Sequence, residues 1–182
     1  MSDNVFIILF RGVGGATQLP VKPLREKLEA AGFRNVATYI NSGNAVVASD
    51  LSREEAVARI AAICRKEFGF EKDIHAVTRQ EWAKLIKANP IPEAVKTPKF
   101  LHAAVLAQKP DDAKVKDVVS TAADGEGFKV VGKVAYIHTP IGFGASKLAV
   151  KFDKGIGVPN TARNWNTVLK LAELAEAAAK PA

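Results

Sequence analysis

The chain has 182 residues, of which 48% are hydrophobic and 25% are charged, an ordinary composition for a globular protein. This length suits one domain or two small ones and is sufficient to bury a substantial core. The 26 basic and 19 acidic side chains give a net charge of +7. The excess is +3 over residues 1–89 and +4 over residues 90–182, so it is spread along the chain. Such a charge permits binding to polyanions without requiring it.

Cys64 is the only cysteine in the sequence, which excludes a disulfide framework within the chain and a thiolate metal cluster. The apolar run near the start is too short for a secretory signal or a membrane span, and no basic region precedes it. We therefore expect a cytoplasmic protein that has no membrane partner.

Residues 4–89 alternate between strand-like and helix-like patterns. The continuous apolar run at 4–10 predicts a strand covered on both faces, and a glycine-rich loop follows it. Beyond the loop, the expected elements are a helix at 21–32, a strand at 34–40, a turn at 41–44, a strand at 45–49, a helix ending at 68, a strand at 73–77 and a helix at 78–89. Ser52 and Glu55 predict a capping box at the start of the second helix, and Thr78 caps the third.

This order of strand, helix, strand, strand, helix and strand is that of a split βαβ, or ferredoxin-like, unit. After a connector with three prolines the order repeats, with a strand at 100–108, a helix at 111–123, strands at 127–132 and 134–140, a helix from about 146 and a final helix. We expect an α+β fold, a tandem of two ferredoxin-like halves with antiparallel sheets and helices on one face of each. The predicted boundaries are 1–89 for the first half, 90–99 for the connector, and 100–182 for the second half with the C-terminal helix.

Both faces of the first strand are apolar, because Val5 and Ile7 point one way while Phe6 and Ile8 point the other. The sheet face that carries no helices must therefore be covered as well. The second half of the chain could cover it, or a second copy of the chain in a homodimer. This pattern argues against an exposed RNA-binding sheet, whose open face needs stacking aromatic residues flanked by basic ones.

Two loops of the first half hold residues that could bind a ligand. RGVGG places Arg11 and Gly12 after the first strand, where open α/β sheets often receive anions. YINSGN offers the polar side chains of Asn41, Ser42 and Asn44, and each amide can both donate and accept. Both segments also have a purely structural interpretation, as turns in which glycine supplies a positive φ.

The second half holds two further candidate segments. GFGASKL predicts a glycine-hinged loop that ends at Ser146 as a helix N-cap, with Lys147 in the first turn, where a bound anion would offset its repulsion by the helix dipole. NTARNWNTVLKL precedes the final helix, and its Asn164 is explained as the N-cap of that helix. Arg163 and Asn166 have no such structural assignment. An arginine offers a planar fork for carboxylate or phosphate, so these two residues are the leading candidates for a ligand.

Conventional catalytic groups are few. His75, His102 and His138 fall inside predicted strands, where a core or sheet-surface histidine is the usual case, and Cys64 lies on a buried helix face. Tyr136 and His138 share a strand face, which suits base stacking or domain packing equally. The sequence contains no recognised catalytic motif and no third ligand for a histidine metal site, so we expect no metal and no cofactor.

The segments RGVGG, YINSGN, GFGASKL and GVPNTARNWNT, in this order, resemble the bacterial family called domain of unknown function 1697. The resemblance runs from about residue 6 to residue 175, and RNWNTV and YINSGN are its most specific pieces. It implies a tandem of two ferredoxin-like α/β halves and supplies no activity. In the family the first loop typically reads Arg-Gly-Ile-Asn-Val-Gly-Gly, so the shorter RGVGG of this chain alters the reach of that loop.

Three functions remain open from the sequence. The first is a binding module for an anionic small molecule, a nucleotide or a nucleic acid, built from the glycine and asparagine loops with Arg163 and Lys147. The second is a structural or interaction protein whose motifs serve domain packing. The third is an enzyme that acts on a small anionic substrate, with arginine and lysine stabilising charge.

Overall fold

The structure, a computed structural model, describes residues 4–40 and 43–180, which form six α-helices and eight strands. The strands make two four-stranded antiparallel sheets, so the chain has a mixed α+β fold. Contacts divide the chain into two compact units. The first runs to Lys84 and resumes at Lys170, and the second spans Leu85–Leu169.

The first unit holds one sheet, in which the strands lie in the order β2-β3-β1-β4. Its elements are β1 (Asn4–Phe10), α1 (Val21–Ala30), β2 (Arg34–Thr38), β3 (Asn44–Ser49), α2 (Arg53–Phe68), β4 (Ile74–Thr78) and the start of α3 (Arg79–Lys87). The residues from Lys170 onward in α6 (Trp165–Ala178) also belong to it.

The second unit holds the other sheet, in the order β6-β7-β5-β8. Its strands and helices are β5 (Leu101–Leu106), α4 (Asp112–Val119), β6 (Gly127–Val131), β7 (Val134–His138), α5 (Lys147–Gly155), β8 (Asn160–Asn164) and the start of α6. Three short 3-10 turns complete it, at Pro92–Lys96, Pro98–Phe100 and Phe143–Ala145.

The core of the first unit forms where α1 and α2 lie on one face of β1. Phe6, Ile8 and Phe10 of this strand cluster with Leu28 of α1 and Ile60 of α2. Each such fully buried side chain stabilises the fold by roughly 1.5–3 kcal/mol relative to an exposed one. The residues that alternate with them on β1 are also buried, as predicted for a strand covered on both faces; they are Val5, Ile7 and Leu9.

The core of the second unit is built in the same manner. Ala104 and Leu106 of β5 and Ile137 of β7 share a buried cluster with Leu148 and Phe152 of α5. Residues 104, 106 and 137 therefore lie on the face of this sheet that bears the helices. Because side chains alternate along a strand, the face of each remaining strand residue follows from these three.

The predicted helix starts are confirmed by their hydrogen bonds. Ser52 Oγ accepts from the Glu55 N–H while the Glu55 carboxylate accepts from the Ser52 N–H, which is a complete capping box. Thr78 Oγ1 accepts from the Glu81 N–H and the Glu81 carboxylate accepts from the Thr78 N–H, so α3 begins in the same way. These bonds satisfy donors that no helix can satisfy internally.

Several predicted elements are shorter in the structure than in the sequence pattern. The helix predicted at 111–123 ends at Val119, after which the Thr121 and Ala122 N–H groups donate to the Val118 and Val119 carbonyls, three residues back, instead of continuing the α-helical pattern. The strand predicted at 34–40 ends at Thr38.

The sequence pattern does not predict β8, because it interprets residues 160–164 only as the segment that leads into the final helix. The segment is polar, and it becomes a strand through its antiparallel pairing with β5, from His102 opposite Asn164 to Leu106 opposite Asn160. Tertiary pairing therefore determines its conformation, and β-propensity does not.

The contact-based units place α6 differently from the predicted halves, which assign the whole C-terminal helix to residues 100–182. From Lys170 onward this helix belongs to the first unit. Consistent with that grouping, Asn35 Nδ2 donates to the Ala178 carbonyl at 2.9 Å, and Arg79 Nη1 pairs with Glu176 Oε2 at 2.8 Å. The boundaries at 1–89 and 90–99 stay a prediction. None of the helices in the described residues is long and apolar enough to cross a membrane.

Gly43 lies directly before β3 and is bonded to the end of β1. Substitution of this glycine tests the fold. Its carbonyl accepts from the Phe10 N–H at 2.9 Å, its φ is +78°, and an added Cβ would lie 2.9 Å from the Phe10 carbonyl oxygen and 2.7 Å from Val13 Cγ2. We expect Gly43→Ala to lower the free energy of unfolding by about 3 kcal/mol or more, measured by chemical denaturation.

Gly15→Ala is the matched control, since Gly15 also has a positive φ but an added Cβ would meet nothing within 4 Å. That variant should cost only the strain of the left-handed conformation, about 1–2 kcal/mol. Equal losses in the two variants would contradict the close approach at Gly43.

Candidate functional site

The predicted ligand residues fall into both units. Those described in the first unit are Arg11, Gly12 and Asn44, whereas Asn41 and Ser42 lie outside the described residues. Those in the second unit are Ser146, Lys147, Arg163, Asn164 and Asn166. The bonds that each side chain makes separate structural residues from those that present their polar groups to solvent.

Arg11 and Gly12 continue directly from β1. The Arg11 N–H donates to the Asp73 carbonyl at 3.0 Å, so the backbone of this loop is tied to the segment before β4. Gly12 has a φ of +68°, and an added Cβ would lie 3.0 Å from the Cδ of Lys72. The loop thus brings a lysine side chain against its glycine, which explains the need for glycine at position 12.

Asn44 serves the turn that precedes β3. Its side chain is buried, and Nδ2 donates to the Tyr39 carbonyl at 3.2 Å, while the Tyr39 N–H donates to the Asn44 carbonyl at 3.1 Å. These two bonds join Tyr39 to Asn44 and give the Asn44 side chain a structural role.

Ser146 and Asn164 are both helix caps. Ser146 is buried and its Oγ accepts from the Ala149 N–H at 3.1 Å at the start of α5. Asn164 Oδ1 accepts from the Thr167 N–H at 3.0 Å at the start of α6. The predicted capping roles are confirmed, and each cap satisfies a donor left over at a helix N-terminus.

Arg163 bonds to its own strand. Its Nη1 donates to Thr161 Oγ1 at 2.6 Å and to the Ala162 carbonyl at 2.8 Å. The Ala107 N–H donates to the Pro159 carbonyl, and because bonded pairs alternate in an antiparallel ladder, the Ala162 carbonyl faces away from β5. Arg163 therefore covers a backbone acceptor on the outer edge of β8, a structural role that the sequence pattern does not reveal.

Burial lowers the pKa of Arg163 to about 10, so its guanidinium is still protonated at neutral pH. By contrast, the side chains of Lys147 and Asn166 are exposed at the first turns of α5 and α6. Of the predicted residues in the second unit, these two present their polar groups to solvent.

Three lysines line an open groove on the outer side of α5. The groove has a volume of about 280 Å³, and its lining residues are Ala145, Ser146, Lys147, Val150, Lys151 and Lys154. Lys151 Nζ also pairs with Asp117 Oδ2 of α4 at 2.6 Å. The sequence pattern predicts only Lys147 here; the other two lysines follow from the helical spacing once α5 is placed.

The histidines of the second sheet lie on opposite faces. His102 stands opposite Ile137, on the face that bears the helices, whereas the neighbouring His138 stands opposite Leu101 and points the other way. The His102 ring stacks on Phe143 with centroids 4.2 Å apart, and burial lowers its pKa to about 4. The described residues contain no group of three metal-ligating side chains.

Tyr136 and Cys64 have packing roles. The Tyr136 hydroxyl donates to the Leu85 carbonyl at 2.6 Å, and burial raises the pKa of this hydroxyl to about 12. Burial likewise raises the pKa of the Cys64 thiol to about 12, so the sulfur is protonated and unsuited to nucleophilic attack.

These features define a mixed α+β protein with two four-stranded antiparallel sheets and a lysine-lined groove in its second unit. The chain belongs to the DUF1697 family, described as proteins of unknown function, whose model matches residues 4–136. This confirms the resemblance seen in the sequence. The match includes the YINSGN segment and ends before RNWNTV, so the value of RNWNTV as a family marker stays a prediction.

A solved structure, that of the conserved bacterial protein SP0830 from Streptococcus pneumoniae, is similar to this chain with a TM-score of 0.74. The similarity covers 95% of this chain and 99% of that chain at 19% sequence identity, and at this identity it concerns the fold alone. No curated protein matches the chain.

Arg163→Ala should destabilise the fold, because two hydrogen bonds from a charged donor are lost at the edge of β8. We expect the free energy of unfolding to fall by about 2 kcal/mol or more, with Arg163→Lys intermediate because a lysine keeps the charge but not the fork. Chemical denaturation measures this. Arg25→Ala, at an exposed position of α1, is the control and should change stability by no more than about 0.5 kcal/mol. An Arg163→Ala variant as stable as this control would refute the edge-covering role.

The pKa of His102 implies a stability change in mild acid. Because folding lowers that pKa from 6.5 to about 4, its contribution to stability is complete above pH 6.5 and is lost as the pH falls through about 4. The difference in unfolding free energy between the native chain and His102→Gln should therefore shrink by about 2–3 kcal/mol between pH 7 and pH 4. Parallel pH profiles for the two proteins would contradict the burial of this imidazole.

Proposed function

We propose that the protein binds phosphate-bearing anions, a nucleotide or a nucleic acid, along the exposed side of α5. The observation that carries this proposal is the groove at Ala145–Lys154, whose lining residues include three lysines. Lysine is a usual phosphate-binding residue because its ammonium is a compact charge with three donors.

The distribution of charge also favours the second unit as the place where an anion binds. Residues 85–169 contain twelve basic and seven acidic side chains, a net charge of +5, whereas the remaining 97 residues carry +2. When the chain is divided by these units instead of by halves, five of its seven net positive charges belong to the unit that holds the groove. A field of this sign raises the local concentration of anions.

The form of the groove favours a ligand that lies along the surface. Its volume of about 280 Å³ is below the ~300–1,000 Å³ of enclosed small-molecule sites, and it is open to solvent. Lys147, Lys151 and Lys154 are separated by four and three residues, which corresponds to steps of about 6 Å and about 4.5 Å along the helix axis. Successive phosphates of an extended strand could follow such a row, with Lys151 exchanging its ion pair with Asp117 for a phosphate.

The electrostatics of the first turn of α5 also favour an anion. It contains no acidic side chain, and Lys147 stands there against the positive end of the helix dipole. An anion at this position would interact favourably with both charges. A ligand role stays a prediction for four further residues: Arg163, Asn166, Arg11 and Gly12.

We also propose that each half of the chain is ferredoxin-like. The support is the element order strand, helix, strand, strand, helix, strand, together with sheet orders in which the first and third strands of each half are central. A cytoplasmic setting in a bacterium accompanies this proposal, with the buried and unpaired thiol of Cys64 as its support.

A structural or interaction role is the second candidate. It is favoured by the bonds of Asn44, Ser146, Arg163 and Asn164, since each of these side chains contacts backbone of its own unit. Under this alternative the motifs maintain the fold, and the lysines are an ordinary solvated surface.

Binding of an oligonucleotide at several salt concentrations tests the proposal. The triple variant Lys147→Gln, Lys151→Gln, Lys154→Gln should reduce the slope of log affinity against log salt by about 2, with at least a tenfold loss of affinity at low salt, because each phosphate contact contributes about 0.7–0.9 to the slope.

The control removes the same charge from exposed positions of the first unit, as Lys22→Gln, Lys84→Gln, Lys180→Gln. It should leave the slope within about 0.5 of the native value. No detectable binding by the native chain at low salt, or equal losses in the two triple variants, would refute a phosphate site on α5.

A further inference from the structure

Three buried polar atoms of the second unit have no hydrogen-bond partner among residues 4–40 and 43–180. They are His102 Nδ1, Glu126 Oε1 and Thr139 Oγ1. Thr139 is fully buried, and the other carboxylate oxygen of Glu126 accepts from the Ala123 N–H at 2.9 Å. A buried polar atom left unbonded costs roughly 1–3 kcal/mol, so three such atoms in one unit require an explanation.

Strand register brings the three residues together. The pairing of β6 with β7 ends with Gly127 opposite His138, so Glu126 and Thr139 directly flank the last pair of the ladder. An added Cβ on Gly125 would lie 3.9 Å from the Cγ of Pro140, which shows that the two chain segments stay close beyond this pair.

His102 is the third member of the group. It stands opposite Ile137, two residues before Thr139 on the same face, which makes His102 and Thr139 diagonal neighbours at about 7 Å. His102 lies on the face that bears the helices, because its partner Ile137 belongs to the core under α5, and continued alternation assigns Glu126 and Thr139 to the same face. We call His102, Glu126 and Thr139 the polar corner.

The segment from Gly142 to Ser146 covers this corner. The Gly142 N–H donates to the Thr139 carbonyl at 2.8 Å, and the Phe143 ring stacks on His102. Gly142 has a φ of +103°, and an added Cβ at Gly142 or Gly144 would meet nothing within 4 Å. The aromatic cover is therefore flanked by two glycines with open space around them.

The polar corner has a definite hydrogen-bonding preference. A carboxylate oxygen only accepts, so Glu126 Oε1 requires an N–H or O–H donor and repels an anion at this point. The Thr139 hydroxyl and a neutral imidazole can each donate or accept. The stacked position on His102, now taken by Phe143, suits a flat ring.

We propose that the polar corner is a binding site for a planar heterocycle that carries an N–H donor, the chemical class of the nucleobases. The ring replaces Phe143 on His102, an amino group donates to Glu126 Oε1, and Thr139 Oγ1 bonds to the ring edge. Carboxylates recognise exocyclic amino groups of bases in the same manner.

This inference rests on the proposed function for one feature, the class of ligand, since the covering segment ends at Ser146 and Lys147, a residue of the proposed phosphate site, directly follows it. The base site and the phosphate site use different residues. They can therefore be tested separately with a probe that has no phosphate.

The probes are cytidine, adenosine and guanosine, which are uncharged and carry amino groups. We expect each nucleoside to shift the backbone amide resonances of Gly142 and Gly144 and the side-chain nitrogen resonances of His102, in a saturable way. Glu126→Gln should weaken the affinity about tenfold, because the amide oxygen that remains is a neutral and therefore weaker acceptor than the carboxylate. Thr139→Val, which removes only the hydroxyl, should also weaken binding. Glu93→Gln, at an exposed position of the same unit, should bind as the native chain does.

Absence of saturable shifts in the native protein would overturn the proposal and leave an ordered water as the partner of the three atoms. Shifts that persist unchanged in a folded Glu126→Gln variant would overturn it as well. If the nucleosides fail while the salt dependence of oligonucleotide binding still depends on the α5 lysines, the base site is wrong and the phosphate site stands. If the nucleosides bind but oligonucleotide binding does not depend on the α5 lysines, the phosphate site is wrong and the base site stands.

Discussion

The requirement that a buried polar group be bonded is the constraint on which the interpretation of this protein depends. It separates side chains that the fold uses from those that it leaves for another partner. Asn44 closes a turn, Ser146 and Asn164 cap helices, and Arg163 covers the edge of β8. Residues that look like ligand groups in the sequence are thus largely employed in maintaining the two units.

The same constraint points to the corner of the second unit where β5, β6 and β7 meet the covering segment. There, three polar atoms are buried without a bond among the described residues. The segment above them leads directly into α5, whose exposed side carries the lysine groove. A base site under the segment and a phosphate site beyond it would combine opposite electrostatic preferences, one an acceptor and one a row of cations.

The sequence predicts the elements that depend on local pattern. The apolar run of β1, the capping boxes at Ser52 and Thr78, and the caps at Ser146 and Asn164 can be derived from neighbouring residues alone. Periodicity and capping chemistry act over a few residues, so one sequence is sufficient for them.

What the sequence does not predict depends on long-range pairing. β8 is a polar segment that becomes a strand only beside β5, and the role of Arg163 follows from lying on that edge. Glu126 and Thr139 resemble ordinary turn residues, and only the pairing of β6 with β7, which ends with Gly127 opposite His138, makes them neighbours of the same strand pair. Neither carries a local signal, because separation along the chain conceals a contact that the sheet creates.

The most direct test of this account is a crystal structure of the protein with cytidine 5′-monophosphate. The account predicts the cytosine ring on His102 in place of Phe143, its amino nitrogen within hydrogen-bond distance of Glu126 Oε1, and the phosphate beside Lys147. A structure in which Phe143 remains stacked on His102 and a single ordered water bridges the polar corner, with no nucleotide at α5, would contradict it.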